Sequence, residues 1–143
     1  MPGTGVDSSI YNPENLHLER KKNALLDSNN KLKDELTYIS YIGRISADKG
    51  FFRFLAAILY LLNDKSDSYK NFRIISPEKD INKMSYSLKS YLMKLGIEIN
   101  EYIDEPLKYY ASTKLVVLPT TYGEGLSRVA LESAFLGLPV AAI

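Results

Sequence analysis

The sequence predicts an α/β fold, a mostly parallel sheet of about five strands with helices on both faces. Three observations predict it. Short runs rich in β-branched and aromatic residues alternate with longer stretches of helical character. Runs such as Leu115-Val116-Val117-Leu118 are continuously apolar, as suits strands covered on both sides. Gly96 and Gly137 follow helical stretches, where a C-cap glycine belongs. Strands alternating with helices imply right-handed crossovers between parallel neighbours.

Residues 2–13 hold two glycines and two prolines and read as an irregular lead-in, so the domain is drawn from residue 14 to 143. Residues 14–34 are polar with a thin stripe of leucines, which predicts a surface helix and a loop near Asp27–Asn30. Leu36 to Ile42 is a strand. Lys49 to Leu62 is apolar on most faces and reads as a well-buried helix. Asn71 to Ile75 is a short strand, Ile81 to Leu95 one amphipathic helix, and Ile97 to Ile103 a strand. Pro106 to Thr113 is a short helix, with proline tolerated in its first turn. Leu115 to Leu118 is a strand stopped by Pro119, Ser127 to Leu136 a helix, and Pro139 to Ile143 begins a last strand. Ending on an apolar strand suggests a fragment, truncated at its C-terminus.

Bulk properties narrow the function classes. The 143 residues are 45% hydrophobic and 24% charged, as in ordinary globular domains. A net charge of +1 supplies no global field for nucleic acid. Cysteine is absent and His17 is the single histidine, which removes disulfides, thiolate metal sites and His-rich metal sites. The longest apolar run, Phe54 to Leu62, is nine residues, against the ~20 a membrane span needs. No secretory leader is evident, so the expected location is cytoplasmic.

In such folds ligands bind where strands end and helices begin. Three loops qualify: 43–50, 76–80 and 119–127. In the first, Gly43 permits a sharp turn and Gly50 a close approach, while Arg44 and Lys49 could neutralise a diphosphate. Taken alone, this loop reads more readily as a solvated connection with Lys49 on the first helical turn. In the third, Gly123 and Gly125 expose backbone N–H groups before a helix, a natural phosphate site. Glu124 stands beside it, and Glu132 follows eight residues later, a helical rise of ~12 Å. That is about the reach from a sugar past a diphosphate to a ribose. Two glutamates so spaced also occur by chance, but Glu132 lies in an apolar stretch where a buried carboxylate needs a partner. Tyr109 and Tyr110 read as packing residues. No P-loop, H-E-x-x-H or D-x-D is present, Gly3-Thr4-Gly5 precedes no strand-to-helix turn, and Ser127 has no histidine relay.

Taken in order, these pieces resemble the C-terminal half of the group 1 family of retaining glycosyltransferases, which pair two Rossmann-like domains in the GT-B architecture. Gly3-Thr4-Gly5-Val6-Asp7 with Tyr11 and Pro13 resembles the opening of that half, and Gly43-Arg44 with Lys49-Gly50 its G-R…K-G loop. Leu118-Pro119-Thr120, Glu124-Gly125-Leu126, Glu132-Ser133-Ala134, Gly137 and Pro139-Val140 resemble its long C-terminal motif. Departures are Ser76-Pro77-Glu78 for a glycine-rich turn, Glu101 for a glycine and Lys114 for an aspartate.

The resemblance implies roles. Arg44 and Lys49, with Gly43 in their loop, would bind the donor diphosphate, and Glu124 would hold the transferred sugar; these three form the catalytic set. The amides of Leu126, Ser127 and Arg128, next to Gly125, would touch phosphate. Glu132 would hold the ribose, and backbone near Tyr102 and Ile103 would face the base. The implied donor is a nucleoside-diphosphate sugar, UDP-sugar by default, transferring a hexose without metal or other cofactor. Surface polysaccharide synthesis is the implied setting. The acceptor-binding N-terminal domain would lie outside this chain, which alone would bind donor weakly and transfer nothing. Any peripheral membrane contact would be made through that half. The competing reading is a non-catalytic sugar-nucleotide-binding or interaction module of the same fold.

Overall fold

The computed structural model describes residues 5–26, 38–64, 71–121 and 127–142. Five strands, β1 (Tyr38–Ile42), β2 (Phe72–Ser76), β3 (Glu98–Glu101), β4 (Thr113–Leu118) and β5 (Val140–Ala142), form one sheet in the order β3-β2-β1-β4-β5. Every pairing is parallel. The chain therefore builds outward from β1 to β3, then returns to the other side of β1 for β4. The loops after β1 and β4 leave in opposite directions, which opens a crevice between them at the carboxyl ends of the strands.

Six helices complete the described chain: α1 (Pro13–Leu26), α2 (Phe51–Asn63), α3 (Glu78–Lys83), α4 (Tyr86–Lys94), α5 (Leu107–Ala111) and α6 (Arg128–Phe135). Successive strand residues point to opposite faces, and the core divides accordingly. Tyr41, Phe72 and Ile74 pack with Phe51, Phe54, Ile58, Met84 and Leu92, so α2 to α4 cover one face. Ile42, Ile75 and Val116 pack with Leu16, Tyr110, Ala111 and Leu136, so α1, α5 and α6 cover the other. This is the Rossmann-like sandwich anticipated from the apolar strand runs. Burying a side chain such as Phe51 or Ile74 contributes ~1.5–3 kcal/mol.

Three expectations need correction. The helix drawn over 81–95 is two helices, because Met84 and Ser85 are extended and Ser85 caps α4, its hydroxyl accepting the Leu88 N–H at 3.2 Å. Helix α2 is not buried all round: as an outer layer it hides Phe51, Phe54, Leu55 and Ile58 but leaves Phe52 and Tyr60 exposed. Residues 5–12 are more than an irregular connection. Asp7 accepts the Ser9 N–H at 2.9 Å in a local turn, and Tyr11 is buried in the core, edge-on to Tyr110. Arg20 on α1 donates to the Ala111 carbonyl at 3.1 Å and helps fasten that helix to α5.

Candidate functional site

Loop 43–50 is held by both neighbouring loops. On one side, Asp80 at the start of α3 accepts the Ile45 N–H at 3.2 Å, and Arg44 Nε lies 3.8 Å from the same carboxylate. On the other, the Asp48 carbonyl accepts the Thr120 hydroxyl at 3.2 Å and the Thr121 N–H at 3.4 Å. Within the loop, the Tyr41 hydroxyl donates to the Arg44 carbonyl. The described parts of the three loops anticipated from sequence thus meet in one contiguous surface.

Gly50 is the residue that permits this. Its φ is +72°, and an added Cβ would stand 1.8 Å from the Pro119 carbonyl oxygen, where nothing can yield. The chain does bend at Gly43, directly after β1, but without a left-handed backbone. Gly43 is absent from the positive-φ glycines of the described chain, and a Cβ on it would meet the Tyr41 hydroxyl at an ordinary 3.4 Å. The steric demand falls seven residues later, where one loop crosses the other.

Beside this surface, a cleft of about 430 Å³ lies at the carboxyl ends of the strands. Tyr102 and Ile103 after β3, Arg128 and Glu132 on α6, and Asp7, Ile10 and Tyr11 of the lead-in line it. Glu132 is 5% exposed and is bound on both oxygens: Oε2 accepts the Tyr110 hydroxyl at 2.7 Å, and Oε1 accepts Arg128 Nε at 2.9 Å. The apolar context that argued for a buried carboxylate with a partner is met, and the chance reading of a surface glutamate is not. Burial first, and the Glu132 carboxylate second, push the Tyr11 and Tyr102 phenols up to about 12. The same two causes raise Tyr110 further.

Helix α6 begins at Arg128 with Ser127 as its N-cap, and the Ser127 side chain makes no cap hydrogen bond to it. The N-terminal end of a helix favours an anion. The Tyr102 N–H is committed to the Ser76 carbonyl at 3.1 Å, so that residue offers its carbonyl and ring to the cleft. The structure therefore gathers Tyr102, Ile103, Arg128 and Glu132 around one cleft, and Ser127 is not among the residues that line it. Gly43, Arg44 and Lys49 stand on the adjoining loop and do not line the cleft. Arg44 is mostly exposed and leans toward Asp80. Glu124, Gly125 and Leu126 lie outside the described residues. Among the described residues, no group of three or more His, Cys, Asp and Glu gathers to hold a metal, and no helix is long and apolar enough to cross a membrane.

Sequence reasoning missed two contributors. Tyr110 was assigned to packing alone, and Tyr11 only to a family motif. The signal for Tyr110 was indirect: a carboxylate in an apolar helix had to find a donor, and buried tyrosine hydroxyls seek acceptors.

Comparison with known proteins bears on all of this. The family profile for Glycosyl transferases group 1 matches residues 37–143. The capsular polysaccharide biosynthesis glycosyltransferase CapM of Staphylococcus aureus is 25% identical over 138 residues, covering 95% of this chain. The chain spans 33% of that relative's length. Among solved structures, the C-terminal domain of a glycosyl transferase group 1 family protein (LpcC) from Francisella tularensis superposes with a TM-score of 0.62 at 21% identity, over 96% of this chain and 70% of that one. Anabaena Alr3699/HepE, solved in complex with UDP and glucose, superposes with a TM-score of 0.63 at 18% identity, over 96% of this chain and 36% of that one. At these identities the superpositions speak for the fold.

Proposed function

Since the chain belongs to the group 1 glycosyltransferase family, we propose that it is the donor-binding half of an enzyme that moves a hexose from a UDP-sugar to an acceptor, retaining anomeric configuration. The observation that carries this reading is Glu132: a buried carboxylate at the carboxyl end of a parallel sheet, opening on a cleft near the N-terminal end of helix α6. Glu132 accepts the ribose hydroxyls. The backbone at Tyr102 and Ile103 meets the base. The amides of Leu126, Ser127 and Arg128 take the diphosphate, with Arg44 and Lys49 of the adjoining loop adding charge as the leaving group forms. Glu124 holds hydroxyls of the transferred sugar. The acceptor comes from a preceding domain that closes over the cleft. The capsular polysaccharide relative and the UDP complex of a structural neighbour support a surface-polysaccharide setting and a uridine donor.

The test is a thermal-unfolding panel with UDP, GDP, ADP and inorganic diphosphate. A ligand bound only by the folded chain adds about 2.7 kcal/mol of stability at a hundred times its Kd. UDP should raise the melting temperature most, and inorganic diphosphate least. Equal shifts with all four, or none with any, would remove the nucleotide-sugar reading.

A further inference from the structure

We infer that Tyr110 is a positioning residue for the donor ribose, acting through Glu132; the inference rests on the ribose role proposed for that carboxylate. Tyr110 is 0% exposed and cannot touch a ligand itself. Its hydroxyl donates to Glu132 Oε2 at 2.7 Å, within the buried core. The ring that carries the hydroxyl is fixed on α5, edge-on to Tyr11 at 6.4 Å and tilted against Tyr109 at 4.9 Å. It packs within the core cluster that also contains Ile42 and Val116.

The two oxygens of Glu132 are therefore held differently. Oε2 is bound from inside by a side chain that has nowhere else to go. Oε1 is bound by Arg128, whose side chain is 72% exposed and free to exchange its partner for water or ligand. A cis-diol offers two O–H donors and binds best to a carboxylate whose rotation is already fixed. Tyr110 supplies that fixed rotation and leaves Oε1 as the exchangeable edge. Because burial and Glu132 raise its phenol, Tyr110 remains a donor throughout the neutral range.

Tyr110→Phe deletes the hydroxyl and keeps the ring. The readout is the ratio of affinities for UDP and 2′,3′-dideoxyuridine diphosphate, with inorganic diphosphate as the phosphate-only probe. Both nucleotides bind only the folded chain, so partial unfolding of the variant cancels in that ratio. Wild type should prefer UDP. Tyr110→Phe should reduce that preference about five- to tenfold, as for the loss of one ordinary hydrogen bond, and leave inorganic diphosphate binding unchanged. Isosteric p-aminophenylalanine at position 110 retains a donor and should restore most of the preference. An unchanged ratio in Tyr110→Phe, or no recovery with the amino side chain, overturns the inference. Glu132→Gln separates the two levels. If it collapses the ratio while Tyr110→Phe does not, only the positioning role falls; if neither variant moves the ratio, the ribose reading falls as well.

Discussion

Two buried charges, Arg73 and Glu132, lie on the same side of the sheet and are handled in opposite ways. Arg73, at the start of β2, is surrounded by neutral oxygens. Its guanidinium donates to the Tyr109 carbonyl at 2.6 Å, the Ser112 hydroxyl at 3.0 Å and the Thr113 hydroxyl at 3.0 Å, and it lies 4.3 Å over the Tyr38 ring. Burial lowers its pKa, with Glu98 acting in the opposite direction. Glu132, at the carboxyl end of the sheet, is held by the buried Tyr110 hydroxyl and by the exposed Arg128, with the Tyr11 phenol interacting beside them, and it borders a cleft. Arg73 also borders a cleft, of about 540 Å³, and its Nε is buried without a hydrogen-bond partner among the described residues, but its terminal nitrogens are tied to fixed oxygens of its own fold. A charge tied in this way to its own fold is structural. A charge left one exchangeable partner, at the end where parallel strands release their loops, is suited to a ligand.

Four measurements would break or sharpen that contrast. The largest effect belongs to Arg73→Met, which strands several buried acceptors; unfolding by denaturant should show a loss of ~3 kcal/mol or more. The UDP preference over inorganic diphosphate should survive in the folded variant, and its loss would mean that Arg73 is not merely structural. Glu132→Ala should do the reverse in ligand titrations, weakening UDP about tenfold or more, equivalent to ~1.4 kcal/mol per factor of ten, while sparing inorganic diphosphate. Equal losses on the two ligands would remove the ribose role. Arg44→Ala and Lys49→Ala should each weaken UDP and inorganic diphosphate alike, by a few-fold: Arg44 is a largely solvated charge of the kind that contributes ~1 kcal/mol or less, and Lys49 is half-buried on the same loop.

The smallest effect is one of pH. The Tyr11 and Tyr102 phenols titrate near 12 in the folded chain and near 10 when unfolded. Between those values the unfolded chain holds fewer protons, so stability that is intact below pH 10 falls as pH rises toward 12. Tyr11→Phe should flatten that fall in melting temperature, and an unchanged slope would show that Tyr11 does not report on the Glu132 cluster.

The layered fold was legible because its strands announce themselves. A continuously apolar run such as LVVL suits burial on both sides, YISYI is rich in β-branched and aromatic residues, and Gly96 and Gly137 stop their helices where expected. The break at Met84-Ser85 was missed because apolar spacing continues across it, although Ser85 is a standard N-cap residue. The site was legible in part. Glu132 drew notice through its apolar neighbours, and the structure supplies the partners that such burial requires. Tyr110 was not legible as its partner, because the two lie 22 residues apart on different helices and no periodicity links them. Arg73 passed unnoticed inside a strand for the same reason: its acceptors come from three other segments. Glu124 stays a proposal, since it lies outside the described residues.

The contact between Gly50 and Pro119 fixes how the segments after β1 and β4 sit against one another. Backbone meets backbone there with no room for even a methyl group, so their spacing is gauged by the main chain rather than by side chains. Position 50 has no latitude: the smallest side chain there would wedge the two segments apart.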